Sequence, residues 1–241
     1  MSGGKAAYAY EVGASCRAEE LFPGVEASMW PMPAAGKTSP LAKGVTLRVG
    51  SSVAAGEGMG FGVPIVHYTD GWVYSRTFDD VDLSTAGATV WKRTFRLDEI
   101  GGDAAHRYQF LPTASRGEIA VTYTIRSYGV TISVAPVWLA PGYSEFGILN
   151  EQSAAFDDFA ADRQPTLTGA ALGRWVAVQG RWARLRSGSL GVEWSVPALQ
   201  GAELYGGREL APPDFNWAGL DYIFPESFAG TTYRIVVQEA R

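Results

Sequence analysis

From Val45 to the C-terminus the chain repeats one pattern: runs that alternate apolar and polar residues, separated by turn-forming residues such as Gly, Pro and Asp. Successive side chains of a β-strand point to opposite faces, so such alternation sets one face on a core and the other in water. Runs with the spacing of an amphipathic helix are scarce. The clearest pair is Glu118 to Arg126 with Val130 to Leu139. In the first run Ile119, Val121, Tyr123 and Ile125 share one face, and Thr122, Thr124 and Arg126 share the other. Ser127-Tyr128-Gly129 is short enough to join the two runs as a hairpin. Further strands are predicted at Val45 to Val53, Thr89 to Leu97, His106 to Leu111 and Thr231 to Gln238. Leu172 to Gln179, Arg181 to Arg186 and Ser189 to Val196, broken at Gly180 and Gly188, predict a three-stranded meander.

With 241 residues, 46% of them hydrophobic, the chain is long enough to bury a large core. The predicted fold is all-β: a large two-sheet antiparallel β-sandwich of roughly twelve or more strands. The sandwich is expected over residues 45–241 as a single domain, with an irregular N-terminal arm over 1–44 packed on the sheet. In the arm Pro23, Pro31, Pro33 and Pro40, with Gly24, Gly36 and Gly44, interrupt every periodic run and leave at most a short helix at Ala14 to Leu21. One other short helix is expected from a Ser153 cap through Ala160, with Asp157 and Asp158 in its first turns. In size and strand length the chain resembles the large sandwiches common among carbohydrate-active and mutarotase-like proteins. The resemblance is one of architecture, and no motif in the chain carries that family's catalytic residues.

The most chemically varied stretch is Gly56 to Phe78. Its entry places a glycine at every second position from Gly56 to Gly62. No Lys-Ser/Thr follows, and a β-run rather than a helix comes next, so this is not a phosphate loop. Alternate glycines in a strand instead clear one face for another backbone, an aromatic ring or a ligand. Asp70-Gly71 then predicts a two-residue turn, which sets His67 opposite Tyr74 and Ile65 opposite Arg76. A loop of three residues, Thr69 to Gly71, would regroup the faces. On the first register His67 and Tyr74 are candidate proton-transfer groups, Arg76 a candidate carboxylate clamp, and Trp72 and Glu57 candidate ligand contacts.

A second candidate site is the aromatic segment around Trp217 with Asp221 and Tyr222, since flat aromatic faces stack on sugar rings and a carboxylate orients hydroxyls. Trp175, Trp182 and Trp194 alternate with arginines, as a core face and a solvated face would. Asp157, Asp158 and Asp162 lack the spacing of a calcium loop and read as a solvated acidic face, so no metal and no cofactor is expected.

A net charge of -5 argues against a nucleic-acid partner. Cys16 is the only cysteine, which excludes an intramolecular disulfide. No secretory signal and no membrane-spanning apolar run is seen, so a soluble, cytoplasmic protein is expected. The leading functional expectation is a carbohydrate- or small-polar-ligand-binding sandwich, on the strength of 8 Trp and 11 Tyr. The alternatives are a lyase- or hydrolase-like enzyme on acidic polysaccharide and a non-catalytic assembly protein, for which an oligomer is possible.

Overall fold

The computed structural model describes residues 17–30, 43–50, 52–53, 58–101, 110–173, 175–211 and 215–240. Every strand pairing among them is antiparallel. The described chain begins with a hairpin of β1 (Arg17–Phe22) and β2 (Val25–Met29), turned at Pro23-Gly24 with Gly24 at φ 81°. The expectation of an irregular arm, with at most a helix at Ala14 to Leu21, therefore fails over these residues. Pro followed by Gly is turn chemistry, and the helix-forming Ala and Glu of β1 yield to strand pairing. β3 (Thr46–Val49) and β4 (Ser52–Val53) complete a four-stranded sheet, so the run expected as one strand is divided at Gly50.

The second sheet begins with β5 (Gly60–Tyr68), β6 (Gly71–Asp82), β7 (Thr89–Gly101) and the short β8 (Phe110–Pro112). β9 (Gly117–Arg126) and β10 (Gly129–Leu139) are the expected hairpin, with Tyr123 opposite Ile132 and Ile125 opposite Val130. Then come β11 (Glu145–Ser153), β12 (Asp158–Ala161), β13 (Gln164–Thr168) and β14 (Val176–Ala177). β15 (Trp182–Ser187), β16 (Val192–Pro197), β17 (Glu203–Ala211), β18 (Phe215–Pro225) and β19 (Thr231–Glu239) close the chain. Their order across the sheet is β13-β12-β15-β16-β19-β10-β9-β7-β6-β5-β11-β18-β17-β14, with β8 beside β7.

This path folds over at β6 and β5, so that β16, β19, β10 and β9 face β5, β11 and β18 as two layers. Three buried tyrosines tie the layers together. The hydroxyl of Tyr123 donates to the Gly62 carbonyl (3.1 Å), that of Tyr233 to Asn150 Oδ1 (2.7 Å), and that of Tyr222 to the Pro197 carbonyl (2.5 Å). Burial pushes all three phenols above their ordinary range, so they stay neutral donors. Phe61 of β5 meets Trp194 of β16 edge-on at 5.0 Å in the same core. The core is continuous and includes Leu21, Phe22, Met29 and Leu47 from the smaller sheet.

β5 stays beside β6 for three pairs only, Val66↔Val73, His67↔Trp72 and Tyr68↔Gly71. Upstream the two strands part, and residues 43–45 take the vacated edge: Val45 bridges to Phe61, and the Lys43 and Gly44 amides donate to the Met59 carbonyl. Buried charge fixes this wedge. Lys43 pairs with Glu99 at 2.9 Å, while Arg93 is gripped by both Asp80 oxygens at 2.6 Å and donates to the Lys43 and Trp30 carbonyls. The alternating glycines serve close approach. A Cβ on Gly58 would meet the Gln152 carbonyl at 2.8 Å, one on Gly60 the Gly44 backbone at 2.8 Å, and one on Gly62 the Tyr123 ring at 2.9 Å.

Two further expectations are corrected. No helix follows Ser153: Phe156 packs on Trp194 at 6.2 Å, and residues 158–161 pair with β15 as β12, so tertiary contacts override the capping pattern. The only helical turn among the described residues is Gly169–Ala171. The expected meander loses its first member, because β14 pairs with β17 while β15 lies between β12 and β16.

Candidate functional site

The β5–β6 turn consists of Thr69 and Asp70, flanked by the pair Tyr68↔Gly71. His67 therefore lies opposite Trp72 and not Tyr74, their rings 4.8 Å apart. The turn thus sits one residue before the expected Asp70-Gly71, and Arg116 grips both oxygens of Asp70 at 2.6 Å. That hydrogen bond also keeps the Asp70 carboxyl below the usual carboxylate range. Tyr74 packs edge-on against Phe110 at 5.0 Å. Arg76 is exposed in a β-bulge, where Asp98 accepts from the Arg76 and Thr77 amides at 2.7 and 3.2 Å. The bulge breaks the alternation that would have kept Arg76 in line with Trp72 and Tyr74. His67 instead has Ser144 Oγ at 2.9 Å from Nδ1 and a Glu145 oxygen at 3.8 Å.

Trp217, Asp221 and Tyr222 lie within β18 and divide between its two faces. Tyr222 points into the core, where its hydroxyl is spent on Pro197. Trp217 and Asp221 point to the outer face of the layer formed by β5, β11, β18, β17 and β14. Glu57 lies outside the described residues.

The register of this layer assembles its outer face row by row. Glu145 stands between His67 and Pro225; Gly147 lies between Ile65 and Ile223, with Glu203 beyond. Asp221 is opposite Tyr205. Glu151 is opposite Gly219, which is opposite Gly207, and Trp217 stands between Ser153 and Glu209. At the β14 end Trp175, 45% exposed, lies 5.5 Å from Trp217 and edge-on to Tyr205 at 6.2 Å. Trp175 and the partly exposed Tyr205 form an aromatic platform beside carboxylates and glycines, backed by Trp217, which is itself buried. The Tyr205 hydroxyl donates to Glu203 at 2.5 Å, and that bond raises its pKa.

Below the platform Asp221 is fully buried. Its Oδ1 accepts from the Asn150 amide at 2.7 Å, in place of a bond of the β11–β18 ladder, while Asn150 Nδ2 donates to the Leu220 carbonyl. Its Oδ2 has no hydrogen-bond partner among the described residues. A Cβ on Gly219 would sit 3.1 Å from that oxygen and 3.0 Å from Glu151 Cγ, so a side chain there would crowd both acids. Burial, and then repulsion from Glu151, hold the Asp221 carboxyl well above the usual range. Glu151 accepts from the Met59 amide at 2.9 Å. Among the described residues no cluster of three His, Cys, Asp or Glu is arranged to hold a metal ion, and no helix is long and apolar enough to cross a membrane.

The sequence reading passed over Trp175, Tyr205, Glu203, Glu209 and Glu151 as site residues. The signal for β17 was present: Glu203, Tyr205, Gly207 and Glu209 alternate along one face.

No family model matches the chain, and no curated protein matches it in sequence. Among solved structures, the α-N-acetylgalactosaminidase NagBb from Bifidobacterium bifidum in its ligand-free form matches with a TM-score of 0.55 at 10% identity. Its quadruple mutant matches with a TM-score of 0.56, also at 10% identity. Each match covers 93% of this chain and 36% of NagBb, so the chain spans about a third of that enzyme's length. The likeness is one of fold. The Slr1438 protein from Synechocystis sp. PCC 6803 is more distant, with a TM-score of 0.43 and 7% identity over 92% of this chain and 94% of its own.

Proposed function

We propose that the protein binds a saccharide on the outer face of the β5-β11-β18-β17-β14 layer, at the platform of Trp175 and Tyr205, with the buried Trp217 backing Trp175. The observation that carries this reading is the exposure of Trp175 against two further rings, beside Glu203 and above the glycines of β17 and β18. An aromatic face stacks on the C–H face of a sugar, and carboxylates accept from its hydroxyls. The shared fold with a glycosidase is compatible with this reading and adds nothing about the ligand.

An enzyme on acidic polysaccharide is the poorer fit. His67, Tyr74 and Arg76 do not meet as a constellation, and the face carries carboxylates that repel a uronate. The test is titration of neutral oligosaccharides while following tryptophan fluorescence. Saturable quenching in the wild type, weakened at least about tenfold in Trp175→Ala, is expected. Equal binding by the two proteins would move the site elsewhere, and no binding across neutral and uronate-containing series would remove the reading.

A further inference from the structure

Resting on that saccharide reading, we propose that the ligand is a chain of several sugar units laid obliquely across the layer, from the Trp175 platform to a second aromatic end at His67 and Trp72. The two ends belong to one surface. Tyr205 of the platform bonds Glu203, Glu203 lies opposite Ile223, and Ile223 lies opposite Gly147. Two residues before Gly147, Glu145 is opposite His67, which is opposite Trp72.

The residues that mark this strip on either side of Gly147 reach solvent. Glu203 is exposed, and Tyr205, Ile223, Glu145, His67 and Trp72 are all partly accessible. Between the ends Gly147 is buried, and the space a Cβ would take is filled by the side chains of Ile65 at 2.6 Å and Ile223 at 3.4 Å, which give the strip an apolar floor. Five strand spacings of about 4.8 Å separate β14 from β6, on the order of 24 Å along the sheet. A monosaccharide or disaccharide does not cover that distance. Glu203 and Glu145 make the strip acidic, and Arg116 at the His67 end is already held in a two-pronged pair by Asp70. The chain it suits is neutral or amine-bearing, not uronate.

The experiment is calorimetric titration with cello- and chito-oligosaccharides from disaccharide to octasaccharide, with an oligogalacturonate series alongside. Affinity is expected to rise about tenfold or more with length, because the second end adds an intramolecular contact once the first is made. Trp72→Ala should remove that rise and leave disaccharide binding unchanged. His67→Ala, at a side chain already 35% exposed, should do the same and guards against a folding defect at Trp72. Length-independent affinity, or unchanged octasaccharide binding in both variants, overturns the extended site while leaving saccharide binding at Trp175 intact. Tighter binding of the uronate series overturns the charge assignment. Absence of any binding overturns the saccharide reading itself.

Discussion

The two faces of the β5-β11-β18-β17 layer are made by the same strands from alternate residues, yet they differ in almost every physical respect. The inner face presents Phe146, Ile148, Leu220, Tyr222 and Phe224, closed against the opposite layer with Tyr222 hydrogen-bonded across it. The outer face presents Glu145, Glu151, Glu203, Glu209 and Asp221, three glycines, and rings that reach solvent. A sheet whose second face only met water would carry small and polar residues there. Here that face holds a carboxyl kept from water and a Trp left in it, which is an arrangement costly for stability and useful for recognition.

The largest expected effect separates the faces directly. Phe146→Ala removes a fully buried ring stacked on Phe228 at 4.0 Å, and urea unfolding should report a loss of about 3–5 kcal/mol. Saccharide binding by the folded fraction should be unchanged. An effect of the reverse kind, on binding and not stability, would dissolve the distinction between the faces.

A smaller, pH-dependent effect is expected at Asp221. Its carboxyl titrates well above the ordinary 3.8 in the folded chain, so the folded state holds a proton that the unfolded chain gives up. Stability due to this group is therefore greatest below the unfolded value, falls as pH rises toward the folded value, and is flat beyond it. Asp221→Asn keeps the acceptor for the Asn150 amide and abolishes the titration. Relative to the wild type it should gain stability steadily as pH is raised from about 4 through that window. A constant offset between the two proteins at every pH would show that Asp221 does not carry the proton.

The smallest effect on stability is expected at Trp175, the residue given the largest effect on binding. Trp175→Ala should shift the unfolding free energy by no more than about 0.5 kcal/mol, since the ring is a surface platform and not core. A substantially larger loss would mean that the platform is a structural lid on β17 and β18.

The sequence made the sheet legible where pairing is local. The alternation of β9 and β10 marks them as the hairpin they form, although the turn is the two residues Ser127-Tyr128, with Gly129 opposite Arg126, and not the expected three. The glycine run before β5 was legible in kind, since Gly58 and Gly60 admit backbone and Gly62 admits the Tyr123 ring. The grouping of His67, Tyr74 and Arg76 was not legible. It turned on a one-residue shift of the β5–β6 turn and on Asp98 clamping the bulge at Arg76 from 22 residues along the chain, and neither leaves a local mark. Nor did local pattern show that Trp72 and Trp217, read as parts of separate candidates, stand at opposite ends of one surface. That follows from β11 lying between β5 and β18, a neighbour relation which short-range signals do not encode.

The terminal strands of the large sheet bear on how the protein behaves at high concentration. A sheet of this breadth ends in two rows of backbone groups, the kind of border on which another copy can template itself. β14 is only two residues long, and β13 carries Pro165, which offers no amide to a partner. Both borders are thus poor seeds for edge-to-edge growth, and the molecule can expose aromatic rings on a broad face without also inviting fibre formation at its margins.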